Sequence, residues 1–370
     1  MADEANNNKD PLIKISISLL RDGVIVPHDI NDLSGKVKLV AQGQPITFEQ
    51  IEKIKRINKG EEFILVSQET HKLLLESKLQ CKVNSKQKVE EETGYKEIKD
   101  EALTMLKEIG NTNTVSQDSV HAVSEELSNI LEVAPPDVIL DLVNALAPMD
   151  EYLQRHSTNV AFLNGLIGKW LDFPKDEVDT LVMIGLMHDC GKVAVPSGAL
   201  NAPRRLAIAE FEVIKMHPIY SYNMLSDFPE RVRRGARAHH EKYNGSGYVD
   251  GLTKRDIPIE ARITAVSDIY DAMISRRVYK EPKNPFNIIV GLMGLCESEL
   301  DPAVVEVFAT NMPKELVGKP VMLSNGEVGV IHEIDLYDLE YPIIRTADQT
   351  FKSSNKLYCK YMYSEEDANS

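Results

Sequence analysis

The sequence predicts a mainly α protein. A central all-helical domain spans residues 135–312, a helical connector 81–134, a small α+β module 1–80 and a small β-barrel-like module 313–370. Three observations predict this layout. Apolar residues recur at i, i+3 and i+4 through almost all of 137–312, the spacing that a helix burying one face requires. Both ends of the chain instead carry short alternating or β-branched runs broken by Gly and Pro. Five of the nine histidines fall between His156 and His240, each beside apolar or turn sequence, as an all-helical metal site would need.

In chain order, IKISISLL alternates, and GVIVPHDI and KVKLVAQG are β-branched runs. ITFEQIEKIKRIN then has helical spacing with Thr47 as its N-cap, before the short strand EFILVS. His28 and His71 have no metal-ligand neighbours in sequence and read as structural or surface residues. The connector is charged, and KQKVEEETGYKEIKDEALTMLKEI reads as an exposed helix. VHAVSEELSNILEV follows a polar break and feeds the next domain or a dimer contact. Pro135-Pro136 marks a kink, after which eight apolar-periodic segments run from DVILDLVNALA to DPAVVEVFATNM. The tail, GKPVMLSNGEVGVIHEIDLYDLEYPIIRT and KLYCKYMYS, has β-type runs with Asn325-Gly326 as a hairpin turn.

Composition narrows the function classes. At 370 residues the chain has room for more than one core, and no apolar run approaches the roughly 18 residues of a membrane span. The acidic, polar N-terminus lacks the basic-then-apolar layout of a signal peptide, so the cytoplasm is the expected location and no membrane partner is expected. Cys81, Cys190, Cys296 and Cys359 are widely spaced and read as reduced thiols. A formal charge of −15 argues against broad nucleic-acid binding, which rests on phosphate neutralisation. It leaves room for a small anionic ligand, because Arg231, Arg233, Arg234, Arg237 and Lys242 form a local basic segment. That segment reads either as a wall beside a phosphate site or as a solvated helix face.

The chemistry concentrates in two dipeptides. His188-Asp189 closes the apolar run LVMIGLMHDCGK just before Gly191, a residue type that ends helices. His239-His240 lies in RAHHEKYNGSGY, where a helix gives way to a glycine-rich loop. Imidazole and carboxylate ligands suit iron, manganese, zinc or nickel, and the two oxygens of a carboxylate can bridge two ions. One division gives His156, His188, Asp189 and Asp268 to one metal, and Asp189, His217, His239 and His240 to the other. Two ions about 3.5–4 Å apart can hold a phosphodiester oxygen and a hydroxide for in-line attack. A single histidine on an apolar helix is more often a core residue, but the set of donors would carry a heavy desolvation cost if left unpaired. Lys192 either contacts the scissile phosphate or complements the helix dipole. Backbone amides around Gly245, Gly247 and Gly251 either approach a phosphate or purine edge or form a plain connector.

These residues resemble the HD-GYP family, a branch of the HD-domain phosphohydrolases. The resemblance covers about Asp150 to Met312. It rests on HS at His156, HDCGK from His188, HP at His217, HHEKYNGSGY from His239, SDIYDAMISRRVYK from Ser267 and LDPAVVEVF near Asp301. It implies a bacterial signalling hydrolase that converts cyclic di-GMP to pGpG or GMP at an iron or manganese centre. Its metal ligands would be His156, His188, Asp189, His217, His239, His240 and Asp268. Asp189 and Lys192 would be catalytic, and Lys192, Gly245, Gly247, Tyr248, Arg277 and Lys280 would contact substrate.

The sequence departs from the family in its loop, where GYP reads Gly247-Tyr248-Val249 and an Asp is replaced by Asn244. Some members carry a glutamate four residues before the first histidine. Here that position is Tyr152, with Glu151 one step off, so two metals are expected in place of three. The expected function is a cyclic di-GMP phosphodiesterase with a di-metal-activated hydroxide. The alternatives are a weakly catalytic cyclic di-GMP receptor or scaffold that engages a protein through the GYV loop, and a phosphodiesterase for another cyclic dinucleotide.

Overall fold

The computed structural model describes residues 12–17, 20, 23–57, 63–74, 94–144, 152–200, 202, 204, 206–274, 284–346 and 349–363. They divide into two compact units, 1–87 and 88–370.

The first unit is a four-stranded sheet of β1 (Leu12–Ser16), β2 (Ile30–Asn31), β3 (Lys38–Val40) and β4 (Phe63–Ser67), in the order β1-β4-β2-β3. Every pairing is antiparallel, with Leu12 opposite Ser67. Ile15, Ile30, Val40, Ile64 and Val66 point inward and close a core with Ile54 of α1 (Phe48–Ile57). Thr47 caps α1 as expected, through a reciprocal pair. Its Oγ1 accepts from Gln50 N at 3.2 Å, and Gln50 Oε1 accepts from Thr47 N at 2.8 Å. His28 lies 3.1 Å from Ser67 Oγ, and His71 is buried.

The second unit is helical from α2 (Tyr95–Thr112) and α3 (Gln117–Val133) through α4 (Pro136–Asn144), α5 (Tyr152–Trp170) and α6 (Lys175–Met187). A 3-10 turn (Cys190–Ala194) leads to α7 (Ile208–Ile214), α8 (His217–Met224), α9 (Glu230–Ala238), α10 (Ile259–Ile274), α11 (Pro285–Gly294) and α12 (Pro302–Leu316). Two of these helices begin with proline behind a side-chain cap. Asn284 Oδ1 accepts from Phe286 N, and Asp301 Oδ1 accepts from Ala303 N, each at 2.9 Å.

The connector differs from its expected exposed helix. The described helix there runs over Tyr95–Thr112 and buries Tyr95, Ile98, Ala102, Met105 and Ile109 in the same core as α3 to α6. Its i, i+3, i+4 apolar stripe is narrow among many charges, so composition hides a helix that packing requires. Each fully buried aliphatic side chain there is worth about 1.5–3 kcal/mol.

At the centre, α5 and α6 form an antiparallel pair in unusually close contact. A Cβ on Gly185 would lie 2.6 Å from both Cα and N of Ala161, so only glycine lets the backbones approach this far. The tail is a five-stranded antiparallel sheet of β5 (Pro320–Leu323), β6 (Val328–Glu333), β7 (Ile343–Arg345), β8 (Thr350–Lys352) and β9 (Cys359–Met362). Its order is β8-β7-β6-β5-β9, and Asn325-Gly326 turns the β5–β6 hairpin with Gly326 at φ 86°. Val321, Leu323, Ile331 and Ile344 join the helical core. Among the described residues no helix is long and apolar enough to cross a membrane. Cys190, Cys296 and Cys359 are free thiols, and Cys81 lies outside the described residues.

Candidate metal centre

Three histidines reach the centre by one local device. His188 and His239 each follow the last residue of a helix, α6 and α9, and His217 opens α8 three residues after α7 ends. In each case Nδ1 donates to the carbonyl three residues back. The pairs are His188 to Gly185 O at 2.7 Å, His217 to Ile214 O at 2.8 Å and His239 to Ala236 O at 2.7 Å. A helix leaves its last carbonyls unpaired, and a carbonyl can only accept, so the ring that satisfies it carries its proton on Nδ1. Nε2 is left as a lone pair facing inward, the state in which a metal takes imidazole.

Tight backbone packing brings these helix ends together. Gly191 N donates to Ser221 Oγ at 2.9 Å, and that hydroxyl donates to His188 O at 2.9 Å. A Cβ on Gly191 would meet His217 O at 2.2 Å, so the turn after Asp189 lies directly on the start of α8.

The result is two facing donor sets, Asp189 with His217, His239 and His240, and His156 with His188 and Asp268. Asp189 stands between them. Its Oδ1 lies 3.1 Å from His217 Nε2 and 3.8 Å from His239 Nε2, while Oδ2 lies 3.3 Å from His188 Nε2 and 3.6 Å from His156 Nε2. Asp268 Oδ1 is 3.1 Å from His156 Nε2, and its Oδ2 is 4.0 Å from His240 Nδ1. Lys192 Nζ donates to Asp189 Oδ2.

The electrostatics suit a cation. Burial, aided by neighbouring imidazoles, drives His239 well below the usual histidine range. Burial also lowers His240 to about 4, against the pull of Asp268. Burial alone would raise the carboxylates, but Lys192 and His188 hold Asp189 well below its usual value, and His156 holds Asp268 down. His156 goes the other way: against burial, the Asp268 and Asp271 carboxylates hold it well above the usual histidine range. Imidazoles gathered with ionised carboxylates are a divalent-metal donor set. His188 Nε2 is wholly buried and makes no hydrogen bond of acceptable geometry, a costly state that a bound ion removes. The cluster is a divalent-metal site. Cys190 is in neither donor set, and burial pushes its thiol up to about 12.

Asp271 escaped the sequence reading. Its Oδ2 accepts from His156 Nδ1 at 2.7 Å, and its Oδ1 from Asn159 Nδ2 at 2.7 Å. It gives His156 the orientation that a helix carbonyl gives the other three. Its spacing, three residues after Asp268 on one helix, was the available signal. Asp271→Ala is expected to weaken metal binding about 10- to 100-fold, read by metal titration of the apo protein. Unchanged affinity would remove Asp271 from the centre.

The glycine-rich loop is held from beneath by Glu241. This buried carboxylate accepts from the backbone of Asp250, Gly251 and Leu252 at 2.6, 3.1 and 3.1 Å. Gly245 has φ 82°, and a Cβ on Gly247 would meet Lys242 N at 2.3 Å. Tyr248 lays its ring 4.8 Å from that of His240.

Among the described residues, four of the five cations in the basic segment, all but Arg234, are held in ion pairs. Arg231 binds Glu177 and Glu260, Arg233 binds Glu230, Arg237 binds Asp250 and Lys242 binds Glu299. It therefore supports the fold more than it forms a phosphate wall. Arg277, Lys280, Glu151 and the Tyr152 side chain lie outside the described residues. A cavity of about 500 Å³ opens on the centre, with Asp189, Lys192 and Ser157 on one side. Gly245, Gly247 and Tyr248 are not among its described lining residues.

Residues 141–304 match the HD domain family. A cyclic di-GMP phosphodiesterase of Pseudomonas aeruginosa, PA4108, is 35% identical over 222 residues, covering 58% of this chain and 53% of that protein. The cyclic di-GMP phosphodiesterase response regulator RpfG of Xanthomonas campestris is 37% identical over 157 residues, 41% of this chain and 42% of that protein. A 3'3'-cGAMP-specific phosphodiesterase of Vibrio cholerae is 31% identical over 175 residues, 46% of this chain and 34% of that protein. The chain thus spans about half the length, or less, of these curated relatives. The match to the HD domain family runs from within α4 into α12 and leaves α2 and α3 outside it. The HD and HH dipeptides of that matched region sit together in one buried cluster.

Proposed function

We propose that the chain is a metal-dependent phosphodiesterase that hydrolyses cyclic di-GMP to pGpG or GMP. The observation that carries this is the placement of Asp189, whose two oxygens face two separate donor sets while the same residue lines the adjoining cavity. Two ions, iron or manganese, would supply Lewis acidity and an activated water. One would be held by His156, His188, Asp189 and Asp268, the other by Asp189, His217, His239 and His240.

The protein's own part is positional and electrostatic. The Nδ1 locks fix each ring before substrate arrives, so no reorganisation is needed in the transition state. Lys192 reaches Asp189 and lines the cavity, where its ammonium can also meet a phosphoryl oxygen and oppose the charge that grows there. Apolar lining from Val193 and Leu200 keeps water off the rest of the ligand. Arg277 and Lys280 are proposed as further phosphate contacts, and the loop of Gly245, Gly247 and Tyr248 as a rim near His240.

The likeness to the Vibrio cholerae enzyme supports a second reading, a mixed guanine–adenine cyclic dinucleotide as substrate. Anaerobic purification, metal analysis and chromatography of products from both dinucleotides test the proposal. Near two metals per chain with pGpG or GMP appearing is the expected result. Cyclic di-GMP bound but unconsumed, with iron and manganese each supplied, would make the protein a receptor.

A further inference from the structure

We infer that the C-terminal turns of α2 form the base-reading wall of the cavity, with Lys107 selecting guanine and Asn111 supporting it. This rests on the cyclic dinucleotide reading above and adds residues outside the region 141–304 that matches the HD domain.

The cavity of about 500 Å³ falls in the size range of small-ligand sites. Asp189 and Lys192 stand at its reactive side, and Leu106, Lys107, Gly110 and Asn111 of α2 contribute another wall. Lys107 and Asn111 are one helical turn apart and so share a face. Gly110, beside them, leaves the wall open: an added Cβ would meet only Val193 Cγ1, at 3.9 Å. Whereas Arg231, Arg233, Arg237 and Lys242 are each committed to a carboxylate, Lys107 has no ion-pair partner among the described residues. Asn111 likewise has no hydrogen-bond partner for its amide among them. An exposed, uncommitted cation and an uncommitted amide on a cavity wall are recognition groups in waiting.

The chemistry they recognise follows from their donors. A cyclic dinucleotide held by its phosphate at Asp189 and Lys192 extends a sugar and base away from the reacting bond. Guanine presents two acceptors, O6 and N7, on one edge, whereas adenine pairs the N7 acceptor with an N6 amino donor. An ammonium has three donors and no acceptor, so it is satisfied by guanine and opposed by adenine. The Asn111 amide can turn either its oxygen or its nitrogen to the base, so it adds affinity with little selectivity.

The test uses the full chain purified with its metal. Lys107→Ala is expected to raise KM for cyclic di-GMP about 10-fold with kcat and metal content unchanged. Inhibition by cyclic di-AMP should stay the same or strengthen. Lys107→Arg should restore KM, because a guanidinium satisfies the same two acceptors. Asn111→Ala should raise KM for cyclic di-GMP and weaken cyclic di-AMP to a similar extent. Glu108→Gln, about 100° round the helix from Lys107, serves as the control with wild-type constants.

An unchanged KM in Lys107→Ala overturns the inference, as does a joint fall of kcat and metal content, which marks a structural role. Both outcomes leave the phosphodiesterase reading intact. If the wild-type protein itself consumes no cyclic dinucleotide, that reading falls and the inference with it.

Discussion

Asp189→Ala is expected to strip metal from the protein and to lower hydrolysis of cyclic di-GMP by at least about 1000-fold, some 4 kcal/mol of transition-state stabilisation. The size follows from its position. Asp268 approaches the second set only at 4.0 Å, at His240, whereas Asp189 Oδ1 faces His217 and His239, and Oδ2 faces His188 and His156. Removing it also takes away the carboxylate to which Lys192 Nζ donates. Asp271→Ala should be milder, because His156 keeps its own lone pair and loses only its orientation. Metal content by elemental analysis, together with product formation, reads both variants. Full activity in a metal-depleted Asp189→Ala protein would overturn the site.

Gly185→Ala is the second large effect expected, here on stability. The added carbon would lie 2.6 Å from Ala161 Cα and N and 2.8 Å from Val160 C, all backbone atoms with no freedom to turn aside. α5 and α6 must separate, at a cost of about 1–3 kcal/mol for overpacking, read as a lower denaturant midpoint. The damage extends to the centre, since α5 carries His156 and His188 directly follows α6. Metal affinity should therefore fall with stability. A wild-type midpoint and wild-type affinity together would show that the two helices have slack that this packing does not suggest.

Different physics made different parts of the molecule legible. Thr47 could be read as a cap because capping is settled within four residues, and Asn325-Gly326 as a turn because a positive φ is a property of the residue itself. The donor residues could be read because adjacent His-Asp and His-His pairs in apolar helices are too costly to bury without a partner that takes their lone pairs. Asp271 could not be singled out, since its role depends on a ring 115 positions earlier. Helix α2 looked exposed because its charges outnumber a stripe whose burial only its neighbours decide. The basic run could be read as a phosphate wall or as a solvated helix face because carboxylate partners such as Glu177 and Glu260 lie on other segments.

The sequence by itself determined the helical centre, the Thr47 cap and the Asn325-Gly326 turn in the flanking modules, and the inventory of imidazoles and carboxylates. These are local matters of periodicity, backbone preference and side-chain chemistry. Only the tertiary structure decided that Asp189 faces both donor sets, that Asp271 holds His156, and that α2 closes a cavity over Lys192. Each of these joins groups far apart in the chain, and through-space geometry leaves no periodic trace along it.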